Sequence, residues 1–439
     1  MATALKESEE LYLQHFRDFE ERRAATAPQW LSDLRSEGMQ AFAEMGFPTT
    51  RVEDWKYCNV APIAGMRFRP ADYGLSNAIR SKVEEASCTG TDSTRLVFLN
   101  GHYVEELSAV GELPKGTTAT SLAKALKQEE SVSAHMGRYA GYKTHPFVAL
   151  NTAFVRDGAF IDVPRGVVLE KPFEVLYVST GSETPWVAHP RNLVIAGQGS
   201  QLTLVETYVG LGDCVYFNNA VTEIVAEDNA RVDYIKLQDE SREAFHVAAV
   251  VAYAARNAGV VTNSIQFGAR LGREELTTVL DGEGAEAYLY GLYVTDGQQL
   301  IDNHTTIDHA QPHCSSREFY KGILDGKSTA VFNGKILVRK DAQKTDSKQS
   351  DKNLLLSESA AINTKPQLEI FADDVKCTHG ATIGQIDPES IFYLRSRGLG
   401  LEEARSLLVE AFAAEIIDHV KSEPLRKRLK AALLVKMKR

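Results

Sequence analysis

The strongest constraint on this chain is a recurrence in its middle. Leu193–Leu204, Glu223–Tyr234, Ala252–Val261, Thr278–Tyr288 and Gly322–Phe332 each read as a β-branched or aromatic run, a short polar turn and a second run. The turns fall at Ala196, Ala226, Ala255 and Asp281, offsets of 30, 29 and 26 residues. The next, at Asp325, comes 44 later, as if one coil carried an insertion. A period of this length marks stacked units. A lone hairpin is marginal in water, so each unit has to bury its apolar face on the next. No helix-length amphipathic pattern interrupts about residues 145–384, which disfavours α/β folds with crossover helices. The pattern predicts a coiled, β-helix-like core; an irregular β-sandwich is the competing architecture.

Both flanks read as helical. Ser8 to Arg23 carries Tyr12, Phe16 and Phe19 at helical spacing, and Trp30 to Ala43 follows Pro28. A turn-rich break at Gly46–Arg51 leads to Glu53–Tyr57, and the short strand Leu96–Leu99 runs into the turn dipeptide Asn100-Gly101. Near the other end, Asp387-Pro388-Glu389 supplies an N-cap, a proline at the first position and an acid in the first turn. A second helix is expected to bury Leu401, Ala404, Leu408, Ala411, Phe412 and Ile416, and a third runs from Leu425 to Met437. The chain therefore divides into an N-terminal helical domain with a short strand (1–140), a β core (141–385) and a C-terminal helical domain (386–439). The last helices either pack on their own domain or offer a surface to a partner helix or groove.

Composition narrows the function. Of 439 residues, 49 are basic and 59 acidic, a formal charge of -10 that argues against a general nucleic-acid binder; the basic tail from Lys421 is a local exception. Five cysteines (Cys58, Cys88, Cys214, Cys314, Cys377) form no CxxC pair, which speaks against a disulfide framework or a thiolate-rich zinc module. The first residues show no basic-then-apolar leader, and the longest apolar stretch, Val247 to Ala255, is too short to span a bilayer. A cytoplasmic protein with reduced thiols is expected.

The most pointed chemistry lies in Asp373–Gly380. On a strand, Cys377 and His379 project to one face. A thiolate and an imidazole together suit a borderline metal such as Fe²⁺ or Zn²⁺. Two ligands do not complete a site, so a partner chain or distant residues have to add the rest, and the pair is expected on outward positions that a sister subunit covers. The bland alternative is a cysteine packed as a small hydrophobe and a hydrogen-bonded histidine. A second group, His304, His309, His313 and Cys314, matches no metal-finger spacing and need not converge. Asp373-Asp374 reads as a turn before it reads as the acid–base couple of a carbohydrate-active enzyme. Gly197-Gln198-Gly199 lacks the following helix of a nucleotide loop, Asn333-Gly334-Lys335 reads as a turn entering a strand, and Asp341–Ser350 reads as a solvated arc. No phosphate-loop or nucleophile-elbow motif occurs, so ATP chemistry belongs to another subunit.

These residues also carry a resemblance. Asn353–Ser357, Thr364–Ile370, Asp373–Gly384 and Phe392–Leu399, with Phe332–Ile336, Ala342–Asp346, Phe147–Asn151 and Asp157-Gly158, closely resemble the SufB/SufD family of iron–sulfur cluster assembly proteins over about residues 145–415. Pro48–Arg51 with Glu53–Tyr57 resembles the SufD branch, and no counterpart appears of the cysteine-bearing insertion that accepts sulfur in SufB. The resemblance implies a right-handed parallel β-helix between helical terminal domains. It implies a non-catalytic scaffold that pairs with SufB through the end of the β-helix; separately, an exposed β-helix edge would favour pairing with itself when SufB is absent. It implies binding of the ATPase SufC through the C-terminal helices, and a transient iron–sulfur cluster at the SufB junction. His379, with Cys377 beside it, is then a candidate iron or cluster ligand. A subunit that only docks SufC is the plainer alternative.

Overall fold

The computed structural model describes residues 2–23, 27–74, 77–87, 89, 93–127 and 130–437; Cys88 and the last two residues of the basic tail lie outside these. The middle of the chain winds into a β-solenoid of about eight turns, and strand outweighs helix, 40% to 26%. Successive strands alternate between two sheets. The first runs Thr118–Ser121, Ala159–Val163, Arg191–Ala196, Tyr216–Ala226, Phe245–Ala254, Leu271–Leu280, Leu300–His309, Thr329–Val338, Ala361–Ile370. The second runs His102–Tyr103, Thr94–Leu99, Phe173–Thr180, Gln201–Leu211, Arg231–Asp239, Gly259–Gln266, Glu286–Thr295, Ser315–Leu324, Asp346–Leu355, Lys376–Gly384. From one coil to the next the pairing is parallel, with columns such as Ile224↔Ala252 and Tyr234↔Thr262. Thr94–Leu99 pairs in parallel with Phe173–Thr180, so the N-terminal region supplies a rung of its own; the hairpin that follows turns at Asn100 and Gly101, both with positive φ.

The polar turns are arcs between sheets, not hairpins. Those at Ala196, Ala226, Ala255 and Asp281 all lead from the first sheet to the second, and the next of that kind begins at Ala310, 29 positions after Asp281. The turn at Asp325 leads the opposite way, so the step of 44 is one coil and a half, and no coil carries an insertion. Six successive first-to-second arcs each place one residue in the left-handed region, Gly199, Asn229, Asn257, Gly284, His313 and Lys344; the last arc, 371–375, has none. Glycine and asparagine take that conformation readily.

Inside the coils, residues two apart share the bore. Phe98, Tyr177 and Tyr208 stack in one column with centroids 4.8 and 4.7 Å apart, the spacing of the ladder itself. Outside, the N-terminal helices cover the first sheet: Phe42, Phe147 and Leu150 meet Phe217, Phe245 and Val247. The C-terminal helices cover the second, where Val409, Ala413, Ile416 and Leu429 meet Ile235, Leu237, Ile265 and Leu292. The buried face of Leu401–Ile417 is Ala404, Val409, Ala413, Ile416 and Ile417; Leu401 and Ala411 of the expected stripe are exposed. The curved outer face of a solenoid, not a neighbouring helix, selects that face. Asn333-Gly334-Lys335 lies mid-strand in Thr329–Val338, not in a turn. Gly334 faces the bore, where a Cβ would come within 2.2 Å of Gln349 Nε2. Among the described residues no helix is long and apolar enough to cross a membrane.

Candidate functional site

Among the described residues nothing caps the end of the solenoid. Ala361–Ile370 and Lys376–Gly384 each pair on one side only, leaving two rows of backbone groups unpaired. Cys377 and His379 sit on the second of these strands, in register with Ser347 and Gln349 of the preceding coil. Ser347 and Gln349 are buried in the bore. The pair therefore occupies inward positions, not the outward ones expected, and meets solvent only because no further coil lies over it. His379 is exposed and Cys377 half-buried against Ile336, Val338 and Ala372. Burial raises the Cys377 thiol, with Asp346 adding to the effect, so it stays protonated until something displaces the proton. Among the described residues no three or more His, Cys, Asp or Glu side chains are arranged to hold a metal ion. Donors two apart on a strand start about 7 Å apart.

The remaining histidines do not converge. His309 faces the bore and bonds Ser316 Oγ at 2.9 Å, with burial lowering its pKa to about 4. His313 holds the left-handed position of an arc, and the Cys314 thiol donates to Gly282 O over 3.3 Å. His304 faces outward, 3.0 Å from Asp302. Asp373 and Asp374 lie in the last arc, where Asp374 pairs with Lys344. Gly197–Gly199 is an arc with no helix after it. The described cysteines, Cys58, Cys214, Cys314 and Cys377, are all free thiols.

Two features escaped the reading of the sequence. Asp346–Leu355 buries Ser347, Gln349, Asp351 and Asn353, although its run of polar residues suggested a solvated arc. Burial raises Glu318 of the same bore to about 7 and Asp351 to about 6. Burial alternates over 347–353, but both faces are polar and the sequence carries no matching alternation. The second is a cavity of about 510 Å³ between the N-terminal segment and the first sheet, lined by Trp55, His145, Arg273, Glu275 and His304. Arg273 there pairs with Glu275 and Asp302.

Comparison with known proteins decides the family. Residues 177–412 match the model of the SufBD core domain of SUF-system iron–sulfur cluster assembly, and residues 6–175 match the SufBD N-terminal region. The chain belongs to the SufBD family of iron–sulfur cluster assembly proteins. A SufBD family protein of Synechocystis is 34% identical, covering 93% of this chain and 91% of the relative. SufD of Escherichia coli is 32% identical over 90% of each chain, and SufD of Bacillus subtilis 26% over 94% and 95%. The relatives named SufD agree with the branch read from Pro48–Tyr57. Within a SufBD protein, Asp373 and Asp374 in an exposed arc give no support to a carbohydrate-cleaving role.

Proposed function

We propose that this chain is a non-catalytic scaffold subunit of the SUF machinery in the cytoplasm. Through the open end of its solenoid it pairs with a SufB-type sister chain. Through its C-terminal helices it binds a SufC-type ATPase, which carries out the ATP hydrolysis. The nascent cluster is cargo at the SufB junction, with His379 as a ligand and Cys377 as its neighbour.

The observation that carries this reading is the last strand: a thiol and an imidazole on the inward row of a coil that nothing covers. A sister solenoid laid end to end would continue both sheets and enclose the pair. Ile370, Phe371 and Ile383 are exposed on the same end, as an apolar rim for such a contact. In isolation, the same end suits pairing of two copies of this chain. Cluster binding would displace the Cys377 proton. One imidazole among thiolates and sulfides leaves a cluster less tightly held than four thiolates. For the ATPase, the helix Pro388–Ser396 buries none of its residues and presents Phe392 and Tyr393, 75% and 57% exposed.

The test is reconstitution with SufB- and SufC-type partners. His379→Ala is expected to leave the complex intact and to lower the cluster absorbance; an unchanged yield would reduce the chain to a docking subunit.

A further inference from the structure

Behind His379 the bore changes character along one column. Leu289, Glu318, Gln349 and His379 follow one another in register, one per coil. Leu289 belongs to the apolar core, but the next two positions are polar and still buried, Glu318 at 2% and Gln349 at 1% exposure. Gln349 Nε2 donates to Glu318 Oε2 over 2.7 Å. The absent side chain of Gly334 leaves the room that this amide occupies across the bore. With its nitrogen tied back to Glu318, the amide has its carbonyl oxygen free. That atom, Gln349 Oε1, is buried and has no hydrogen-bond partner among the described residues. A buried acceptor left unpaired is costly, and such an atom calls for an explanation.

The next residue of the column is His379. A histidine that ligates metal through one ring nitrogen almost always donates its other N–H to an oxygen, which fixes the tautomer and the ring plane. We infer that Gln349 is the positioning residue of His379: its Oε1 accepts the imidazole N–H and turns the other ring nitrogen outward, toward the open end. Glu318 acts one step further back, by holding the amide so that oxygen rather than nitrogen faces the histidine. This deepens the proposed function, since it presumes that His379 is a ligand, yet the orientation can be read without any cluster.

The experiment uses the full chain labelled with ¹⁵N-histidine, the His379 resonances being assigned by their loss in His379→Gln. The ring-nitrogen shifts give the balance of the two neutral tautomers. One tautomer is expected to dominate in the parent chain. Gln349→Met keeps the volume but removes the acceptor, and should shift His379 toward the mixture of a free imidazole; Gln349→Glu retains an acceptor and should keep the parent balance. In reconstitution, Gln349→Met should lower cluster yield about tenfold or more. Identical tautomer balance in the parent and in a folded Gln349→Met would overturn the inference. A normal yield from His379→Ala, with the tautomer still responding to Gln349→Met, would remove the ligand role and support the orientation alone.

Discussion

Arg273 lays its guanidinium 3.7 Å from the ring centre of Trp55, and so ties a loop of the N-terminal region to the outer face of the first sheet. The same group donates to Asp54 O at 2.8 Å and to Glu275 Oε1, and pairs with Asp302. Burial opposes ionisation of Glu275, but Arg273 and the His145 hydrogen bond outweigh it and hold the carboxyl well below the usual range. One buried cation thus satisfies two carboxylates and an aromatic face.

Removing that cation leaves Glu275 with only His145 and Asp302 with only His304 as a partner. Arg273→Met is expected to cost about 3–5 kcal/mol, the penalty for leaving a buried charge without its partner. Denaturant unfolding followed by tryptophan fluorescence measures it. A cost under about 1 kcal/mol would mean that water reaches Asp302 and Glu275 freely.

A pH dependence follows from the polar bore. Burial raises Glu318 to about 7 and Asp351 to about 6. A raised carboxyl binds its proton more tightly when folded, so its contribution is complete below the unfolded pKa near 4 and is lost as pH climbs to the folded value. For Glu318 the loss is about 3 kcal/mol at most between pH 4 and 8. Glu318→Gln should match the parent near pH 4 and exceed it in stability at pH 8. Equal unfolding midpoints at pH 8 would show that the bore solvates the carboxylate.

Gly334 gives a more local check on the same coil. A Cβ there would meet Gln349 Nε2 at 2.2 Å and the Phe332 ring at 2.8 Å. Gly334→Ala should cost about 1–3 kcal/mol through overpacking, and most of that cost should vanish in the double variant with Gln349→Ala. Additive losses in the double-variant cycle would place the clash elsewhere.

The solenoid was legible because its apolar columns repeat: Ala196, Ala226 and Ala254 are buried neighbours in successive coils. Its phase was not, because arcs of both directions use the same small and polar residues, so that Asp325 looks like Asp281 although it turns the other way. The pairing of Cys377 with His379 was visible from spacing two on a strand. Which side of the strand they take was not, because inward and outward rows are both polar over the last coils, where Ser347, Gln349, Asp351 and Asn353 replace the usual apolar fill. Arg273 and Trp55 are 218 positions apart, and nothing in local sequence announces a contact of that range.

The two proposed interfaces lie on different parts of the chain and should fail separately. Ile383 is 51% exposed on the last strand, which pairs on one side only, and Tyr393 lies beyond it on a helix that buries nothing. A charge at an apolar contact has to be desolvated without a partner when the interface closes, which costs several kcal/mol and removes most of a moderate affinity. Neither substitution disturbs the packed core, since both side chains are already in water. Ile383→Asp is expected to abolish pairing with a SufB-type chain, and self-pairing in isolation, while SufC-type binding persists. Tyr393→Asp, with Phe392→Asp if one aromatic suffices, should do the reverse. Light scattering of the isolated chain and pull-down with each partner read the two outcomes. Loss of both contacts from either single variant would mean that the solenoid end and the helix form one continuous surface, and the division of labour between them would fall.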